Sequence, residues 1–387
     1  MTNVRVMAPV GAFLWLVQIT WVFVLFSGSS ALNLNHVDPY KIVLTQIIYV
    51  FIILDVLIIL YVIHYRWLIE TFVHQKSLVR DKHIKRNFLL VGMRFQQYGK
   101  VVAGGHGGGE KLNQLSIPTN IFVDEKKTIF IVDEWNHRIV KWNSDEDNGQ
   151  LVAGGNGIGD RLDQLAYPTS VVVDQQNHSV IIADRDNKRI VQWFSDQNQR
   201  VLIDNINCFG LAMDKYGFLY VSDTSKNEVR RWKIGEQEGT LVAGGNGEGK
   251  QRNQFSLPTY IFVDEKQSIY ISDYNNHRVM KWLKGAQEGF IVAGGNGGGN
   301  ALNQLHHPQG LSVDQWNQIY VADWDNHRVM RWREGDQEGE IVVGGNGQGD
   351  QTNQIYGPYG IACDLEGNLY VSEYVNRRVV RFDIQLT

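Results

Sequence analysis

LPTYIFVDEKQSIYISDYNNHRVMKW, residues 257–282, followed by GFIVAGG at 289–295, is the stretch whose reading decides the fold. The runs 260–263, 269–272 and 279–282 are short, β-branched or aromatic, and separated by the turn pairs Asp264-Glu265 and Asn275-Asn276. With the run ahead of Gly294-Gly295 they predict four antiparallel strands in one unit. The unit recurs: Trp142, Trp193, Trp232, Trp282, Trp332 and Phe382 fall at one position of six copies, with spacings of 51, 39, 50, 50 and 50. A four-stranded blade cannot bury both faces alone, so six are expected to stack radially into an all-β propeller. The sixth copy stops after its third strand, 379–382, and the chain is expected to close by lending it strand 100–103, which hides otherwise open strand edges.

Asn-His-Arg stands intact at 136–138, 276–278 and 326–328, in altered form at 187–189 and 376–378, and as Lys226-Asn227-Glu228 in the third copy. On these residues the chain resembles the NHL-repeat family over 98–387, which implies a β-propeller; residues 1–97 match no family. The third copy passes from Val201-Leu202-Ile203 to Cys208-Phe209-Gly210 without the glycine-rich loop found in the others, which begins at 104, 154, 244, 294 and 344. That loop lacks the strand-to-helix context and the Lys-Ser/Thr of a phosphate cradle, so Gly and Asn are read as turn formers. The recurring Asp at 133, 184, 223, 273 and 323, with Glu373, and the second series at 124, 174, 214, 264, 314 and 364, are also read as turn architecture.

Ahead of the repeats the composition changes. Residues 8–27 and 42–63 are long apolar runs, interrupted by Gln18, Thr20, Thr45, Gln46 and Asp55, and each is long enough to cross a hydrocarbon core of roughly 30 Å. Two transmembrane α-helices are therefore expected within a 1–65 anchor, with 66–97 as a basic amphipathic linker able to meet anionic lipid headgroups. Arg66, Lys76, Arg80, Lys82, Lys85 and Arg86 follow the second run while 28–40 has no Lys or Arg, which predicts a cytosolic propeller. A competing reading makes the first run a cleaved signal peptide, and the Asn177-His178-Ser179 sequon matters only if the topology is reversed. Asp55 lies mid-membrane, where an ionisable group is costly. Residues 1–97 carry nine Lys or Arg against four Asp or Glu, and the rest 28 against 37. This acidic balance of the repeats argues against a nucleic-acid partner. Two cysteines, Cys208 and Cys363, are too few for a disulfide framework or a thiolate zinc site.

Strand direction brings the turns after the second strands and the glycine loops to one end of the ring. Trp135, Tyr274, Trp324 and Tyr374 lie in those turns, with Tyr356, His306 and His307 in the adjoining loops, and together they are the candidate anchors for a protein or peptide ligand. No nucleophile elbow, catalytic carboxylate pair or metal spacing beyond the repeat is seen, so no catalytic residue, metal or cofactor is assigned and a scaffold is preferred to an enzyme. The family resemblance also implies two alternatives. Some NHL propellers act as a metal-dependent lyase on peptidylglycine intermediates, and here His306 and His307 are the unrepeated histidine pair. Others close ubiquitin ligases, a role open to this chain only as a recruiter acting in trans.

Overall fold

A computed structural model of the chain describes residues 93–196 and 198–386, together with Tyr61. In blade 4, strands Pro258–Val263, Ile269–Asp273, Arg278–Trp282 and Phe290–Gly294 pair in chain order, each antiparallel to the one before. The second and third strands are buried along their whole length, as expected for strands covered on both faces by neighbouring blades. Five further four-stranded sheets complete an all-β six-bladed propeller.

Its core is the set of six layers between blades. One of them joins Tyr270, Val279 and Ala293 of blade 4 to Leu311, Val321, Met330 and Trp332 of blade 5. The layer that closes the ring joins Ala103, Tyr370 and Val379 of blade 6 to Ile121, Ile131, Val140 and Trp142 of blade 1. The aromatic residue that sets the period seals its blade: Trp142, Trp282 and Trp332 are 1% exposed. Each lies across the glycine just before the fourth strand. A Cβ on Gly149 would come within 2.5 Å of the Trp142 ring, and Gly289 and Gly339 sit in the same way under Trp282 and Trp332. At the far end of the blade the second aspartate series closes the first hairpin; Asp264 Oδ1 accepts the amides of Lys266 at 2.9 Å and Ser268 at 2.8 Å.

Blade 6 takes Pro358–Cys363, Leu369–Glu373 and Arg378–Phe382 from the end of the chain and Lys100–Gly104 as its outer strand. A second clasp lies beside it, which the sequence reading does not anticipate. Met93–Phe95 pairs antiparallel with Ile384–Leu386, the Phe95 ring is 4% exposed, and it meets Tyr320 edge-on at 5.9 Å. Gln97 Nε2 donates to the Val342 carbonyl at 3.2 Å. Residues 93–97, placed with the linker from sequence, thus sit on the propeller, because Phe95 finds an apolar seat between blades 5 and 6. The expected membrane helices, Asp55 and the linker up to residue 92 lie outside the described residues. Among the described residues no helix is long and apolar enough to cross a membrane.

Candidate binding mouth

The repeated polar residues hold the structure together. Asp273 Oδ1 accepts the Ser256 amide at 2.8 Å, while Oδ2 accepts Asn276 Nδ2 at 2.9 Å and Arg278 Nε at 2.7 Å. The Arg278 guanidinium then reaches the glycine loop, donating to the carbonyls of Lys250, Gln251 and Gln254 at 2.8, 3.0 and 3.0 Å. The same clamp stands in blades 1, 2, 5 and 6, on Arg138, Arg189, Arg328 and Arg378. In blade 3 the arginine position is Glu228, and the link from Ile203 to Cys208 is too short to need a clamp. Loop and arginine are absent together, so the arginine is there for the loop.

The motif histidine has a separate duty. His137, His277 and His327 close the turn in the left-handed region, with φ of 49°, 54° and 52°, where Asn, Asp and His are the tolerated side chains. The Nδ1 atoms of all three accept an amide from the next blade: Tyr167 at 3.2 Å, His307 at 3.2 Å and Gly357 at 3.3 Å. Asn227 does the same in blade 3, where its Oδ1 accepts the Leu257 amide at 2.9 Å. Desolvation lowers the pKa of each of the three histidines below the ordinary value.

The residue directly after the second strand is not part of this scaffold, and it varies. Around the axis it is Glu134, Arg185, Thr224, Tyr274, Trp324 and Tyr374, one per blade. The three aromatic members form a network with Tyr359 from the first strand of blade 6. Tyr359 stacks on Tyr374 at 5.5 Å and 22°, and Trp324 meets Tyr359 and Tyr374 edge-on at 6.4 and 6.3 Å. Tyr274 lies 6.5 Å from Trp324. Below this layer the axis is filled: Tyr260, 3% exposed, meets Phe209 of blade 3 at 5.4 Å and Tyr359 of blade 6 at 5.8 Å, and its hydroxyl donates to the Thr169 carbonyl of blade 2 at 3.3 Å. A side chain from blade 4 that touches blades 2, 3 and 6 crosses the axis. The mouth is therefore a shallow crater with a tyrosine floor.

Blades 1 and 2 make its charged side. Glu134 is 7% exposed, and its carboxylate pairs with Arg185 Nη1 at 3.1 Å. Burial outweighs that guanidinium and pushes the Glu134 carboxyl up to about 7; a charge taken out of water resists ionisation. Arg185 also bonds Asp186 at 2.9 Å and lies over the Tyr167 ring at 5.7 Å. The Gln309 Oε1 atom of blade 5, at the strand position equivalent to Tyr359, is buried without a hydrogen-bond partner.

The structure brings together Tyr274, Trp324 and Tyr374 of the sequence-derived candidates and sets Trp135 apart. Trp135 is one residue beyond the ring position and 57% exposed; its blade presents Glu134 instead. Tyr356 is half-buried and edge-on to His327 at 5.1 Å. His306 and His307 are half-buried beside His277, and His307 stacks on Tyr274 at 4.4 Å. Sequence reasoning missed Glu134, Arg185, Tyr359 and Tyr260. Aligning the six copies on the strand-end carboxylate would have put Glu134 and Arg185 in register with the aromatics; nothing comparable marks Tyr260. A roomy cleft lies at the other end, between blades 1 and 2, walled by Phe130, Lys141, Val173, His178 and Trp193, but the unrepeated residues of the turns converge on the mouth.

The NHL repeat model matches residues 165–193 and 305–331, which lie in blades 2 and 5. No curated protein matches the chain. Among solved structures, a protein of unknown function from Bacteroides thetaiotaomicron VPI-5482 is similar at 17% identity and a TM-score of 0.58, with 76% of each chain covered. An auxiliary nutrient binding protein from the same organism stands at 16% identity and 0.58, again over 76% of each chain. Another such protein, from Bacteroides ovatus ATCC 8483, stands at 12% and 0.54 over 76% of this chain and 77% of that one. At these identities the likeness is one of fold. With the repeat recognised in two blades and its acid-Asn-Arg clamp built into five, the chain is a six-bladed β-propeller that carries NHL repeats.

Proposed function

We propose that this chain is a membrane-anchored binding protein whose propeller, on the cytosolic side, offers its mouth to a protein or peptide ligand. The observation that carries this reading is the division among the turn residues. Asp, Asn, His and Arg are engaged in holding loops and blades, whereas the neighbouring ring position gathers Tyr274, Trp324 and Tyr374 opposite Glu134 and Arg185. Large rings clustered near a partly buried charge pair are what interface anchors are made of. The apolar runs at 8–27 and 42–63 and the basic residues after them support anchoring, cytosolic orientation and lipid contact. The acidic balance of the repeats disfavours nucleic acid. A second reading, catalysis, is favoured by Glu134, whose carboxyl near 7 suits a general acid or base; its pairing with Arg185 favours binding.

The test places a photoreactive residue at Val375, exposed beside Tyr374, and in parallel at Tyr216, exposed in the hairpin turn at the opposite end. Defined adducts are expected from Val375 alone and should vanish when Tyr274, Trp324 and Tyr374 are all changed to Ala. Equal labelling from both positions would overturn the assignment of the mouth. Protease treatment of sealed vesicles tests orientation: a propeller protected until detergent is added overturns the cytosolic reading.

A further inference from the structure

At the junction of blades 4 and 5 three imidazoles come together. His277 ends the turn of blade 4, and His306 and His307 precede the first strand of blade 5. Their rings are 5.3, 4.7 and 4.7 Å apart, and ligand atoms from all three lie within 4.8 Å of one another. Among the described residues this is the single place where three such donors converge. The other motif histidines show what is added here: His137 meets Tyr167 and His327 meets Tyr356 at the equivalent junctions. Asp325 completes the group. Its Oδ2 is 2.6 Å from His307 Nδ1 and 3.5 Å from His306 Nε2.

We propose that His277, His306 and His307 form a binding site for a late first-row divalent metal ion, zinc in the first instance, with the fourth position open to water or to a donor from a ligand. Three neutral imidazoles suit such ions. Asp325 holds His307 as outer-shell carboxylates hold metal-bound histidines, fixing one ring nitrogen as the donor to oxygen and leaving the other for the metal. A zinc ion with bonds of about 2.0–2.1 Å needs the donors to close by on the order of 1 Å, within reach of side-chain rotation on half-buried residues. One cost is visible: His277 Nδ1 accepts the His307 amide at 3.2 Å, and ligation by His277 gives up that neutral hydrogen bond in exchange for a bond to the metal. The site adjoins the mouth through the stack of His307 on Tyr274, but it stands without the mouth being a binding surface.

The test uses the full-length protein, stripped of metal and titrated with Zn²⁺ by calorimetry, with Co²⁺ absorption reporting the coordination. One ion per chain is expected. His277→Asn is the discriminating variant, because Asn227 fills the same left-handed turn and accepts the same inter-blade amide in blade 3. It should keep the parent melting temperature in the absence of metal and lose affinity by at least about tenfold, as should His306→Gln and His307→Gln, with Asp325→Asn weakening binding by about tenfold or more. His106→Gln, on an exposed loop, should change nothing. Absence of stoichiometric binding, or binding that survives His277→Asn combined with His306→Gln, overturns the proposal.

Discussion

Replacing Arg278 by Met tests whether the motif arginine is there to clamp a loop. The guanidinium, 4% exposed, is lost from Asp273, which is wholly buried, and from three loop carbonyls. Lys250 and Gln251 are exposed, so those carbonyls regain water at little cost. Asp273 cannot: it keeps the Ser256 amide and Asn276 but loses its charge partner. Stranding one member of a buried ion pair costs about 3–5 kcal/mol; with two hydrogen bonds retained the lower end is expected, about 3 kcal/mol. Urea denaturation of the full-length chain, followed by tryptophan fluorescence, gives the size, and hydrogen exchange gives the place. Amides of 249–256 should exchange faster while those of the blade 5 loop, 295–307, stay protected. Adding Asp273→Asn removes the stranded charge and should recover about half of the loss, a coupling that a double-mutant cycle reads directly. A loss below about 1 kcal/mol, or costs that simply add in the double variant, would refute the clamp.

Glu134 should make the propeller less stable as pH rises. Its folded value near 7 lies above the ordinary 4.5, so the folded state holds an extra proton between the two; that contribution is complete below the lower value and is lost as pH climbs through the upper one. At 1.36 kcal/mol per unit the swing is about 3 kcal/mol at most. Glu134→Gln should flatten urea midpoints measured from about pH 5 to about pH 8, and an unchanged slope would count against the assignment. Phe95→Ala should cost about 3 kcal/mol, the low end for a buried phenylalanine, and speed exchange in Lys100–Gly104 before other strands. Uniform exchange, with the midpoint unmoved, would mean that the second clasp does not help close the ring.

The fold was legible because its signal is repeated. Six aromatic residues in one register, two series of turn carboxylates and a fourth-strand segment at 100–103 ahead of the first full copy each restate the same unit, so local ambiguity about any one strand averages out. The second clasp was not legible, since Phe95 looks like any other apolar residue of the segment before the repeats until its seat against Tyr320 is seen. The candidate site was half legible for the same reason in reverse: function sits on positions that do not repeat. Tyr274, Trp324 and Tyr374 stood out as aromatics, but choosing by residue type and not by register picked Trp135 over Glu134. Arg185 pairs with Glu134 across two blades and Tyr260 crosses the axis, and such relations depend on how the circle closes, information no linear pattern carries. The His277 cluster was divided in the same way, its motif member lying inside the repeated Asn-His-Arg signature while His306 and His307 stood out as an unrepeated pair.

The double clasp also has a mechanical meaning. The segment before Met93 leads directly into Met93–Phe95, and the chain runs from there into Lys100–Gly104, the strand that completes the circle. Tension between that leading segment and anything gripping the mouth would be transmitted first to these two strand pairs, not to the interior of a blade. The ring thus carries its closure at the point where a tether would pull, and the Phe95 knob acts as a strain relief for the strand behind it.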